Sequence, residues 1–111
     1  MLEAGLRAES MRQKAIANNM ANLRTPGYRR LGVKFEELLE KAISSGSKLD
    51  LKELEPELYQ PKNTAVKSDG NDVNLEAEIG ELVKNSLRHK AMIRLLYKKY
   101  SQIEQAITTS R

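Results

Sequence analysis

The sequence predicts a mainly α protein, with long N- and C-terminal helices forming a coiled-coil pair around a small irregular middle segment that holds a short helix and short strands. Three observations carry this reading. Apolar residues recur at helical spacing over residues 2–23, a heptad-like series runs from Leu75 to Ile107, and most of the prolines, glycines and serines fall between the two. At 111 residues the chain has room for one modest domain, and with 5% aromatic residues and no tryptophan it is short of side chains that fill a large core. The predicted organisation is an N-terminal coiled-coil helix over 1–24, a turn and middle contact segment over 25–73, and a C-terminal heptad helix over 74–111.

In the first helix Leu2, Leu6, Ile16, Met20 and Leu23 share one face, interrupted by Glu9 and Gln13. Ala4, Ala8, Met11 and Ala15 form a smaller apolar surface nearly opposite. A helix that is apolar on two sides sits between two neighbours. It cannot easily run past Thr25, because Pro26 disfavours the α conformation of the residue before it and has no amide hydrogen. Pro26 and Gly27 fit the two central positions of a type II turn, the second of which needs positive φ. Asn19 and Asn22, three apart near the helix end, are placed to bond carbonyls left open there or to bond a neighbouring subunit.

Beyond Tyr28, the alternation Leu31, Val33, Phe35 predicts a short strand, and Phe35, Leu38, Leu39, Ala42, Ile43 switch to helical spacing. Ser44, Ser45, Gly46 and Ser47 end that helix. From Leu49 to Lys67, Leu49, Leu51, Leu54 and Leu58 suit a helical face, but Pro56 and Pro61 argue for an irregular or edge-strand segment. A turn at Asp69-Gly70-Asn71 then leads to Asn74, a good N-cap followed by Glu76 and Glu78 in the first turn.

From there Leu75, Ile79, Leu82, Ser86, His89, Ile93, Leu96, Tyr100, Ile103 and Ile107 alternate at four and three residues, a sustained heptad seam. A helix of this span is roughly 50 Å long at 1.5 Å per residue, more than so small a domain needs internally. Burying one seam does not offset the entropy of ordering the whole helix, so the helix needs a partner. The first helix is the long candidate within the chain. Part of the seam is therefore expected to remain free for other subunits.

Charge is unevenly laid out. Asp69, Asp72, Glu76, Glu78 and Glu81 precede Lys84, Arg88, Lys90, Arg94, Lys98 and Lys99, which suits the dipole of a single helix and reads most simply as a solvated face. Lys84, Arg88, Arg94 and Lys98 project away from the seam and could follow phosphates, so a small basic helical protein binding nucleic acid or an anionic membrane surface is the alternative reading. The net charge of +4 and the lack of aromatics interleaved with the bases argue against it, and no nucleic-acid partner is expected.

Enzymatic readings fare badly. With no cysteine, thiolate catalysis and Cys-based zinc sites are excluded. His89 stands alone at a seam position and reads as a register-setting residue rather than a ligand. Residues 65–76 place Asp69, Gly70 and Glu76 as a calcium loop would, but Ala65 and Lys67 occupy two of its ligand positions. The reading is of a protein that is not an enzyme, with no metal and no cofactor. No stretch approaches the roughly 20 apolar residues of a membrane span, and the first twenty residues have neither an apolar run nor a small-residue cleavage site.

At residues 15–30 and 69–107 the sequence resembles the bacterial flagellar rod, hook and filament axial proteins. Their signature, Asn-x-Ala-Asn followed by Thr-Pro-Gly-Tyr, matches Asn19, Ala21, Asn22 and then Thr25, Pro26, Gly27 and Tyr28. Asp69-Gly70-Asn71 followed by Val73, Leu75, Glu78 and Asn85 and the terminal heptads agree with a proximal rod subunit of that family, as does the short length. The resemblance implies a structural subunit of the flagellar basal body, located in the periplasmic rod of the drive shaft. It implies self-assembly with other copies and other rod proteins, contact with a base-of-rod adaptor, and export, unfolded and without a cleaved leader, by the flagellar type III apparatus. Helix pairing and assembly would run through Leu75, Ile79, Leu82, His89, Ile93, Leu96, Tyr100, Ile103 and Ile107. In one respect the sequence departs from the family: members carry a longer first helix, whereas here only Met1 to Asn18 precede the asparagine motif. Either this helix is short or the start lies upstream, and part of the implied export and contact surface is then missing.

Overall fold

A computed structural model describes residues 2–44 and 54–109. In order they form α1 (Leu2–Ala21), β1 (Gly32–Lys34), α2 (Glu36–Ser44), β2 (Glu57–Tyr59) and α3 (Leu75–Thr109). The molecule is 67 Å long because α3 alone, at about 1.5 Å per residue, accounts for some 50 Å. The expected end of the short helix at Ser45 to Ser47, the Leu49 and Leu51 positions, and the side chain of Leu2 lie outside the described residues.

α1 runs antiparallel to α3. Gly5 lies beside Met92, Gln13 meets Asn85 and Asn19 meets Glu78. On its other side Ala4 and Ala8 pack with Phe35, Leu39 and Leu54, and Ala15 and Ile16 adjoin Leu31, Val33 and Tyr59. α1 therefore sits between two neighbours, as the sequence predicts, but the two faces are not divided as expected: Ile16, from the leucine-bearing face, lies with Ala15 against the middle segment. The core is small, because alanines supply much of it.

The middle segment is tied down by a two-stranded antiparallel ribbon with Gly32 opposite Tyr59, Val33 opposite Leu58 and Lys34 opposite Glu57. The ammonium of Lys34 stands 4.7 Å from the centre of the Tyr59 ring. The alternation at Leu31 to Phe35 and the edge-strand reading near Pro56 and Pro61 both correspond to these strands. Phe35 immediately precedes α2, and its carbonyl accepts the Leu39 amide at 2.8 Å. Arg12 joins α2 to α1 by pairing with both Glu36 and the buried Glu9. Burial opposes ionisation of Glu36, but the bond and charge of Arg12 outweigh it and hold the carboxyl below its ordinary range.

The face α3 turns toward α1 is not the middle of the heptad seam. Its buried residues are Glu78 and Asn85, and Met92 follows at the same spacing. Leu75 and Ile79 are 40% and 45% exposed, Leu82, Ile93 and Leu96 are half-buried, and His89 is exposed. The contact is rotated by about one residue, because polar groups of α1 take Glu78 and Asn85 as hydrogen-bond partners. Every residue from Tyr97 to Thr109 is exposed, Tyr100, Ile103 and Ile107 among them.

Candidate functional site

The stretch from Asn19 to Tyr28 ends α1 and reverses the chain. Helical bonding stops at Ala21, where the amide of Asn22 is shared between the carbonyls of Asn18 and Asn19. Asn22 then closes the open end twice: its Nδ2 donates to the Asn18 carbonyl at 2.8 Å, and its Oδ1 accepts from the Thr25 hydroxyl at 3.0 Å. Unsatisfied carbonyls at a helix C-terminus are thereby covered by a side chain whose short amide competes with helix continuation. The Tyr28 amide bonds the Thr25 carbonyl at 3.2 Å, and Gly27 has φ +75°, which makes Thr25 to Tyr28 the predicted type II turn.

Asn19 does neither of the two things the sequence suggested. It is fully buried and bonds the chain that follows the turn. Its Oδ1 accepts the Leu31 amide at 2.8 Å and the Tyr28 hydroxyl at 2.9 Å, while its Nδ2 donates to the Leu31 carbonyl at 2.9 Å and to Oε2 of Glu78 at 3.2 Å. One carboxamide thus fastens the end of α1, the strand approach and the start of α3. Asn18 completes the group by donating to the Tyr28 hydroxyl at 2.7 Å.

A second turn packs against the first. The Gly70 amide bonds the Lys67 carbonyl at 2.9 Å, Gly70 has φ +86°, and Oδ1 of Asp69 accepts the Asn71 amide at 3.0 Å. The residues that superficially suit a calcium loop are thus committed to a turn. The Gly27 amide donates to the Asp69 carbonyl at 2.9 Å. Asn71, fully buried, donates to the carbonyls of Asn22 and Thr25 at 2.8 and 2.9 Å and accepts the Val73 amide at 2.7 Å. Asn74 caps α3 as predicted, its Oδ1 accepting the Ala77 amide at 3.2 Å.

Charge finishes the junction. Buried Glu78 accepts from Nε of Arg30 at 2.8 Å, and buried Asp72 accepts the Arg30 amide at 2.5 Å and the Thr64 hydroxyl at 2.6 Å. Burial alone would raise the Asp72 carboxyl, but the Thr64 and Arg30 bonds and the charge of Arg29 reverse this and hold it below the usual aspartate value. Burial pushes the Tyr28 phenol up, reinforced by the charges of Glu78 and Asp72. Asp72 and Glu78 are therefore not part of a solvated acidic face.

The motif residues Asn19, Asn22, Thr25 and Tyr28 are brought together here by direct bonds and Gly27 bonds the second turn at Asp69, whereas Ala21 and Pro26 sit exposed beside them. The seam residues are not gathered with them; they lie along α3. Sequence reasoning missed Arg30, Asp72 and Thr64 as members of the junction. The available signal was the pair Arg29-Arg30 just after the turn, set against the acidic block that opens at Asp69.

Comparison with known proteins agrees with this geometry. A family model described as Flagella basal body rod protein matches residues 2–29, the span of α1 and the first turn. Over 96 residues, 70% of this chain and 71% of the relative, the sequence is 34% identical to the flagellar basal body rod protein FlgB of Borrelia hermsii. It is 27% identical to FlgB of Bacillus subtilis over 116 residues, 96% of this chain and 90% of the relative. It is 28% identical to FlgB of Borreliella burgdorferi over 101 residues, 75% of each. With the motif folded into one bonded junction and the likeness extending along both terminal helices, the chain belongs to the FlgB family of flagellar basal body rod proteins.

Proposed function

We propose that this protein is a structural, non-enzymatic subunit of the flagellar basal body rod, built into the proximal part of the drive shaft by self-assembly with other rod proteins. The observation that carries the reading is the apolar surface α3 keeps outside the fold. Leu87 is 63% exposed and Tyr100 56%, and the last quarter of α3 extends past the region paired with α1. Apolar side chains spaced along one helix gain roughly 1.5–3 kcal/mol each when a neighbour covers them. Subunits packed side by side supply such neighbours.

In this reading residues 1–24 and 74–111 belong to the inner helical shaft and residues 25–73 contact adjacent subunits on its outside. Leu75, Ile79, Leu82, His89, Ile93, Leu96, Tyr100, Ile103 and Ile107 form the assembly seam, and Asn19 to Tyr28 mark the junction between shaft and outer segment. Partners are further copies, other rod proteins, an adaptor at the rod base and the type III export apparatus, which threads the unfolded chain. A fold held by a small core and a polar junction suits unfolding for export.

The test is complementation of a host lacking its own copy. The wild-type chain should restore rods, while Tyr100→Asp and Ile103→Asp should be exported yet fail to assemble. Normal rods with both substitutions would overturn the reading.

A further inference from the structure

Midway along their shared length, α1 and α3 flank a cleft of 460 Å³ lined by Glu9, Gln13 and Lys14 on one side and Asn85, His89 and Lys90 on the other. Its two buried polar residues each hold an oxygen that accepts no hydrogen bond from the described protein. Glu9, 1% exposed, accepts from Arg12 at Oε1 over 2.5 Å, and its Oε2 has no partner. Asn85, 3% exposed, donates from Nδ2 to Gln13 at 2.9 Å, and its Oδ1 has no partner. A buried acceptor without a donor forgoes the hydrogen bond that water would have given it, so two of them beside one cleft point to donors arriving from a ligand.

The lining also selects among donors. A cation would meet Lys14 and Lys90, both exposed at the mouth, while the single carboxylate below is already shared with Arg12. A carboxylate would suit the lysines and not the buried oxygens. A neutral primary carboxamide satisfies both, since its NH₂ offers two donors inward and its carbonyl accepts at the mouth. The Gln13–Asn85 bond is already a contact of this type, and a third amide would extend it.

We propose that this cleft is a carboxamide-binding site, filled by an asparagine or glutamine side chain of an adjoining rod subunit. The source of the side chain rests on the rod reading above; the chemistry of the cleft does not. The test uses the full-length, isotope-labelled chain and follows the side-chain amide signals of Gln13 and Asn85 during titration with acetamide, guanidinium chloride or sodium acetate. Acetamide is expected to give saturable shifts at lower concentration than either ion, and Asn85→Ala or Glu9→Gln should weaken it by about tenfold. Preference for guanidinium or acetate, or no saturable shift with any probe because the cleft is only hydrated, overturns the proposal. The order of preference is read on the unsubstituted chain, so it holds even where a variant misfolds. In cells, a photo-crosslinker at exposed Ser86 should join an assembled neighbour within a few residues of an Asn or Gln. Rods that assemble with the cross-link elsewhere sink this inference alone, whereas a wild-type chain that never enters rods sinks the rod reading.

Discussion

Gly70 lies against the backbone of Gly27: a Cβ built on Gly70 would stand 3.3 Å from the Gly27 Cα, and both residues have positive φ. Two turns 43 positions apart in sequence thus meet glycine to glycine, and the Gly27 amide bonds the Asp69 carbonyl beside them. Gly70→Ala should lower stability by about 1–2 kcal/mol from backbone strain, with crowding added. Gly27→Ala carries the strain without the crowding, since nothing lies within 4 Å of its Cβ position. Urea unfolding should therefore rank Gly70→Ala as the more damaging of the two.

Replacing Pro26-Gly27 with Ala-Ala removes both the block to helix propagation and the residue that takes φ +75°. α1 should lengthen at the expense of the turn, raising the helical circular dichroism signal, and rod assembly should fail. Motility and rod formation surviving that change would show that the junction is dispensable.

Asn19 and Asn22 look equivalent in sequence but are not equivalent in the fold. Asn19→Ala leaves the Leu31 backbone groups and one oxygen of Glu78 without a buried partner, at about 1–3 kcal/mol for each group left unsatisfied. Asn22→Ala removes side-chain bonds that are largely exposed and should cost about 1 kcal/mol. Equilibrium unfolding of the two variants is expected to differ by at least about twofold in lost stability.

Asp72 makes the junction acid-sensitive. Its folded-state carboxyl lies below the ordinary value of 3.8, so its contribution is fully present above that pH and is lost as pH falls through the lower folded value. Asp72→Asn should destabilise the protein near neutrality, and its deficit relative to wild type should shrink below about pH 4. A deficit independent of pH would show that the carboxylate charge is not what matters.

The helices, the short strands, the type II turn and the Asn74 cap were legible because each rests on local chemistry. Pro26 and Gly27 restrict backbone angles within four residues, and Leu31 to Phe35 alternate whatever lies beyond them. The face of α3 that meets α1 was not legible. Periodicity reports where apolar residues lie, whereas the contact was decided by the long-range Asn19–Glu78 and Gln13–Asn85 bonds. The junction was half legible: the asparagines stood out before the turn, but the pairing of Arg30 with Asp72 and Glu78 spans more than 40 residues and leaves no periodic trace.

Amide hydrogen exchange on α3, compared between dilute monomer and assembled rod, tests most directly whether this helix presents a surface that only neighbours cover. Residues 97–109 should exchange rapidly in the monomer and become protected on assembly, while the stretch around Glu78 is slow in both. Full protection of 97–109 in the isolated chain would contradict the account.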